Sequence, residues 1–140
     1  MRVLYSKFSE YACQQANGRH TMIGIFDDIR VAQIPVDHPP FFLNLELEFE
    51  ATEGGGTMSL DAILMDEDGK DLVKIQSSGP VPKSNDGNPL RMHMVIGIQP
   101  IRFEKAGNYR LDVIYNGMKV GEERLPIMLV APPPPQSFTQ

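Results

Sequence analysis

At 140 residues and a net charge of −5, the chain is long enough to bury a core without disulfides or metal, and it lacks the clustered cations that displace counterions from nucleic-acid phosphates. Hydrophobic residues make up 41% and charged residues 22%, ordinary globular usage. No run approaches the ~18 apolar residues that span a bilayer, and twelve Gly with twelve Pro favour many short elements over long helices.

The first ten residues lack a basic segment followed by an unbroken apolar run, so no signal peptide is expected. Val3 to Cys13 reads as a strand, turned by Asn17-Gly18 into a second strand from Arg19 to Phe26. Leu4, Phe8, Tyr11 and Ala12 also fit helical spacing, which keeps a short helix as the alternative. Cys13 is the sole cysteine, which rules out an internal disulfide and suits a reducing cytoplasm. A further strand is expected over Asp28 to Ile34, and His38-Pro39-Pro40 stops whatever precedes it.

Phe42 to Glu50 is the clearest element. Leu43, Leu45, Leu47 and Phe49 alternate with Asn44, Glu46, Glu48 and Glu50, and successive strand side chains point to opposite faces, so one face is apolar and the other charged. Gly54-Gly55-Gly56 returns the chain into a strand over Thr57 to Met65. Asp66-Glu67-Asp68-Gly69-Lys70 then turns it into Asp71 to Gln76. Ser77 to Pro89, with three prolines and two glycines, reads as a loop. Arg91 to Phe103 alternates again, with Gly97 and Pro100 implying a bulge or an edge position.

Tyr109 to Tyr115 and Met118 to Val130 form a hairpin across Asn116-Gly117, a type I′ turn signal, with Pro126 placed for an edge or bulge. Pro132 to Pro135 should leave the sheet as an extended tail. The expectation is one all-β domain over residues 1–131, a two-layer antiparallel β-sandwich of eight or nine strands, immunoglobulin-like in general architecture. Residues 132–140 would form a Pro-rich tail.

Glu10-Tyr11-Ala12, the Asn17-Gly18 turn, Ile23 to Ile29, the acidic hairpin Asp66 to Lys70 and the Gly107-x-Tyr109 strand start together resemble a bacterial family of small all-β domains of unknown function. The resemblance covers nearly the whole chain. It implies the β fold and no assigned activity.

Candidate chemistry is sparse. Between Asn44 and Asp71 nine acids face one base, a stretch of −8 that reads as a solvated sheet face or as an acidic docking face for a basic partner. Its glutamates Glu46, Glu48 and Glu50 are the candidate interaction face. The Asp66 to Asp71 run fails as an EF-hand. With Gly69 in sixth place the loop would begin at Leu64 and end at Ile75, where carboxylates are required; a looser calcium site at the sandwich end is the remaining variant. His20, His38 and His93 are widely spaced, without metal-ligand neighbours. Asp27-Asp28 and Glu122-Glu123 should point to opposite sheet faces. The eight methionines should mostly fill the core.

No catalytic residue, cofactor or metal is therefore assigned. The expected function is a non-enzymatic protein-interaction or structural domain whose partner is another protein or a second copy of itself, with neither nucleic acid nor membrane. The alternative is a carbohydrate- or small-ligand-binding sandwich using Tyr5, Tyr11 or the Ser77 to Pro89 loop. An enzyme whose site leaves no sequence signature is the third.

Overall fold

The apolar row Phe41, Leu43, Leu45, Leu47 and Phe49 is wholly inaccessible to water, and its alternation makes Phe41–Phe49 a central strand. The computed structural model describes residues 1–131, in which eleven strands follow one another. They are β1 (Arg2–Gln14), β2 (His20–Phe26), β3 (Ile29–Val31), β4 (Val36–His38), β5 (Phe41–Phe49), β6 (Thr57–Met65), β7 (Asp71–Pro80), β8 (Leu90–Ile98), β9 (Ile101–Phe103), β10 (Gly107–Tyr115) and β11 (Met118–Leu129). Eight are long; β3, β4 and β9 have three residues each.

One sheet has the order β2-β1-β5-β8, the other β3-β11-β10-β6-β7, and β4 pairs with β9 at one end. The fold is all-β and sandwich-like, as expected, but β3 runs parallel to β11. The core lies between the sheets, with Leu43, Leu45 and Ile96 from one and Leu60, Leu64, Leu111, Val113 and Leu125 from the other. An aromatic chain joins all three sheets: Phe41 lies 5.7 Å from Phe8 and 5.1 Å from His38, and Phe103 lies 6.1 Å from His38 and 5.1 Å from Tyr109.

The β11-β10-β6 and β5-β8 neighbours match the order of immunoglobulin-like sandwiches. Tyr109 adds the corner that accompanies it, donating its hydroxyl to the Lys105 carbonyl at 2.6 Å near the start of β10. Burial pushes the Tyr109 phenol up, keeping the donor protonated.

Several boundaries differ from the sequence reading. The segment from Ser77 is not all loop: Ser77–Pro80 continues β7 along β6, its serines on an edge where Gly79 and Pro80 are tolerated. Arg91 to Phe103 is two strands, because Gln99-Pro100 breaks the ladder and β9 leaves to join β4. Gly97 marks the edge position and not the bulge, since β8 is the outer strand of its sheet. It pairs regularly with Phe42, whose ring lies 3.7 Å from where a Cβ would stand. Asp28 to Ile34 shrinks to Ile29–Val31, held by three register pairs to β11. Pro126 precedes the part of β11 that β3 covers, so its missing donor leaves no gap. At Asn116-Gly117, φ values of 47° and 84° fit the type I′ turn. Met58 and Met65 are buried, whereas Met118 is exposed at the turn. The Pro132–Pro135 tail lies outside the described residues.

Candidate functional site

β1 serves two partners. Arg2 to Ser9 pairs with β5, Phe8 to Gln14 pairs with β2, and only Phe8 and Ser9 are shared. In a flat sheet His20, opposite Gln14, would lie seven residues along β1 from Asn44, opposite Lys7. That is roughly 23 Å of strand. Instead His20 Nε2 sits 3.0 Å from Asn44 Oδ1, and the Tyr5 hydroxyl reaches Met22 Sδ at 3.9 Å. The β1–β2 hairpin therefore curls back over the outer face of its own sheet, and β1 touches β8 across β5. The bend falls where the Ser9 hydroxyl donates to the Tyr11 carbonyl at 3.0 Å.

Asn44 pins the curl. It is fully buried, and its Nδ2 donates to the Lys7 carbonyl at 3.1 Å and to Ser9 Oγ at 2.9 Å. A carbonyl only accepts, which fixes the amide orientation and leaves Oδ1 as the acceptor for His20. The proton of that bond is therefore on His20 Nε2. The His93 ring lies 5.5 Å from that of His20. Tyr5, His20, Met22, Glu46 and His93 surround a cleft of about 260 Å³. Sequence spacing could not bring these two histidines together.

The candidate glutamates diverge. Glu48 is clamped between its cross-strand neighbours, 2.8 Å from Arg2 and 3.5 Å from Arg91, with its side chain 11% exposed. Glu46 lies 3.8 Å from Arg91 and borders the cleft. Glu50 follows the strand, and its backbone amide donates to Glu53. Both arginines come from outside the acidic stretch, so the β5 carboxylates face compensating charge. Glu48→Lys would put a third cation between two arginines; we expect a loss of about 1–2 kcal/mol in urea unfolding, against no measurable loss for Glu50→Lys.

The opposite side of the hairpin is apolar and open. Tyr11, Ile23 and Ile25 are 50%, 58% and 52% exposed, with Tyr11 directly opposite Ile23. The Tyr11 ring meets Phe42 edge-on at 6.1 Å. Cys13, a half-buried free thiol, is two residues farther along β1.

Other charged groups have structural partners. Asp66 Oδ1 accepts the backbone N–H groups of Asp68 and Lys70, each at 2.9 Å, and these bonds hold its carboxyl below the usual range. Lys105 lies 2.6 Å from Asp68 and 3.6 Å from Asp66, placing an ammonium among the carboxylates that a looser calcium site would need. Among the described residues, no cluster of three or more His, Cys, Asp or Glu has a metal-binding arrangement. Asp27 pairs with Lys7, and Asp28 with Arg30. Glu122 pairs with Arg110 and Lys119, whereas burial raises the neighbouring Glu123.

His38 borders a second hollow with Glu10, Phe26, Asp28, Ile29 and Arg30. Its Nδ1 donates to the Pro39 carbonyl at 2.7 Å, and burial lowers its proton affinity below the ordinary value near 6.5. As pH falls below 6.5 the unfolded chain gains a proton that the folded chain resists, so stability falls on acidification. The slope is shallow, because the ring is half in water. Urea midpoints between pH 7 and 5 should fall less in His38→Gln than in the unsubstituted chain.

These features define a class: an immunoglobulin-like β-sandwich with an accessory hairpin folded over one sheet. The chain belongs to a family of unknown function, DUF6941, which matches residues 4–128. No curated protein matches it in sequence. Among solved structures it is similar to the alkylpurine DNA glycosylase AlkC of Pseudomonas fluorescens, bound to DNA containing an abasic site analog. That likeness has 15% identity and a TM-score of 0.42, over 73% of this chain and 28% of that one. No helix among the described residues is long and apolar enough to cross a membrane.

Proposed function

We propose that the domain is a non-enzymatic protein-interaction module that docks through the outer edge of β2. One observation carries this reading: the edge strand is uncharged, free of proline and flanked by exposed Ile23, Ile25 and Tyr11. The other three outer strands of the two large sheets are guarded, β7 by Lys74 and Pro80, β8 by Arg91, and β3 by Arg30 and its shortness. Beyond its ladder to β1, β2 makes no backbone hydrogen bond among the described residues, so it offers donors and acceptors to an incoming strand. The free thiol at Cys13 accords with a reducing cytoplasm.

The test is a photoreactive side chain at position 23, activated in the native cell, with position 74 on β7 as control. Adducts of defined mass from position 23 and none from position 74 are expected. Equal yields from both, or none from either, would sink the reading.

A second reading, small-ligand binding, rests on the cleft between Tyr5, His20, Glu46 and His93. At about 260 Å³ it falls just below the usual ligand-site range of roughly 300–1,000 Å³, which places it behind docking. A monosaccharide or carboxylic acid that raises the melting temperature of the unsubstituted chain but not of His93→Ala would favour it.

A further inference from the structure

We infer that the partner of the β2 edge is a second copy of this chain, paired β2 to β2 about a two-fold axis at Ile23. This rests on the docking reading above and names its occupant. In an antiparallel pair centred on Ile23, each residue lies opposite the one equally far on the other side of 23. Arg19 of one copy then faces Asp27 of the other, and the symmetry makes this contact twice. Both residues are exposed and stand immediately outside β2, while the strand between them is uncharged. The edge is thus self-complementary: opposite charges at its two ends and an apolar middle.

Residues directly opposite in an antiparallel pair share a face. Ile23 therefore meets Ile23 of the second copy, and Ile25 lies opposite Thr21. The exposed row of Tyr11, Ile23 and Ile25 continues across the axis into the same row of the second copy, merging two small patches into one. The two four-stranded sheets become one of eight, and two unguarded edges are consumed together. A parallel arrangement would bring Arg19 beside Arg19 and Asp27 beside Asp27, which like-charge repulsion disfavours. The Asp27–Lys7 pair is exposed, so it does not hold Asp27 away from a second partner.

Sedimentation velocity of the full chain over a range of concentration tests this, alongside the adducts from position 23. The expected result is a concentration-dependent dimer that Ile23→Lys abolishes without lowering the melting temperature. Arg19→Asp and Asp27→Arg should each weaken it by about tenfold, and the double substitution should return it to within about threefold of the original. Recovery in the double variant separates pairing across the axis from loss of the Lys7 contact. A chain that stays monomeric throughout, or a double variant weaker than either single one, would overturn the dimer. If position 23 then captures a different protein, β2 docking stands and only its occupant is wrong; if it captures nothing, both fall.

Discussion

Phe41→Ala should destabilise the domain by about 3–5 kcal/mol in urea unfolding, the range for emptying a buried phenylalanine site. The ring is wholly buried and packs on Phe8, Phe26 and His38 at centroid distances of 5.7, 5.8 and 5.1 Å. Those partners belong to β1, β2 and β4, so the cavity would open where the main sheet meets the small β4–β9 sheet. Collapse around it would require strands of two sheets to move together. Phe42→Ala is the internal comparison. It sits one residue on, faces outward and is only half-buried, so its loss should be under half as large. Equal losses would mean that the aromatic chain is not the joint described.

Asn44→Ala should cost about 3 kcal/mol and free the tip of the hairpin. Removing the amide strips a partner from the Lys7 carbonyl, the Ser9 hydroxyl and the His20 imidazole, and each polar group left unsatisfied costs about 1–3 kcal/mol where water cannot enter. The hairpin can lift, so His20 regains water and the full sum is not reached. Hydrogen exchange reads the difference. Amides of His20 to Ile23 should exchange much faster, while those of β6 and β10 keep protection in proportion to the global loss. A uniform rise over all strands would show that Asn44 supports the whole sandwich and does not pin the hairpin.

The long strands were legible because a half-buried strand writes its burial into alternation. Leu43 to Phe49 do so without a break, and Thr57–Met65 matches the structure residue for residue. Val36–His38 escaped and Ile101–Phe103 merged into the strand before it, because three residues carry no period of their own and each segment abuts proline. Their pairing is a long-range event that nothing local announces. Ser77–Pro80 misled for a different reason: turn-forming residues also suit the solvent side of an edge strand.

The candidate site was harder to read. The glutamates of β5 form an acidic run along the chain, and the cations set against them are remote in sequence. Arg2 and Arg91 neutralise Glu48 from positions 46 and 43 residues away. His20 and His93 meet only because β1 curls, and the local trace of that curl in β1 is slight, a single serine between Phe8 and Glu10. The exposed isoleucines of β2 were visible in the sequence, but alternation does not say which face of a hairpin is covered.

The shared strand also sets an order of events. The β1–β2 hairpin is local, its register running from Gln14–His20 to Phe8–Phe26, and such units form in roughly 1–10 μs. The other half of β1 must wait for β5, pairing Arg2 with Glu48, and the β3–β11 ladder must bring Ile29 to Ile127. Non-local closures of this kind place β-sandwiches in the millisecond-to-second range. The ladder behind Ile23 and Ile25 therefore samples its paired form long before the sandwich beneath it closes, and that edge stands open throughout the slower steps.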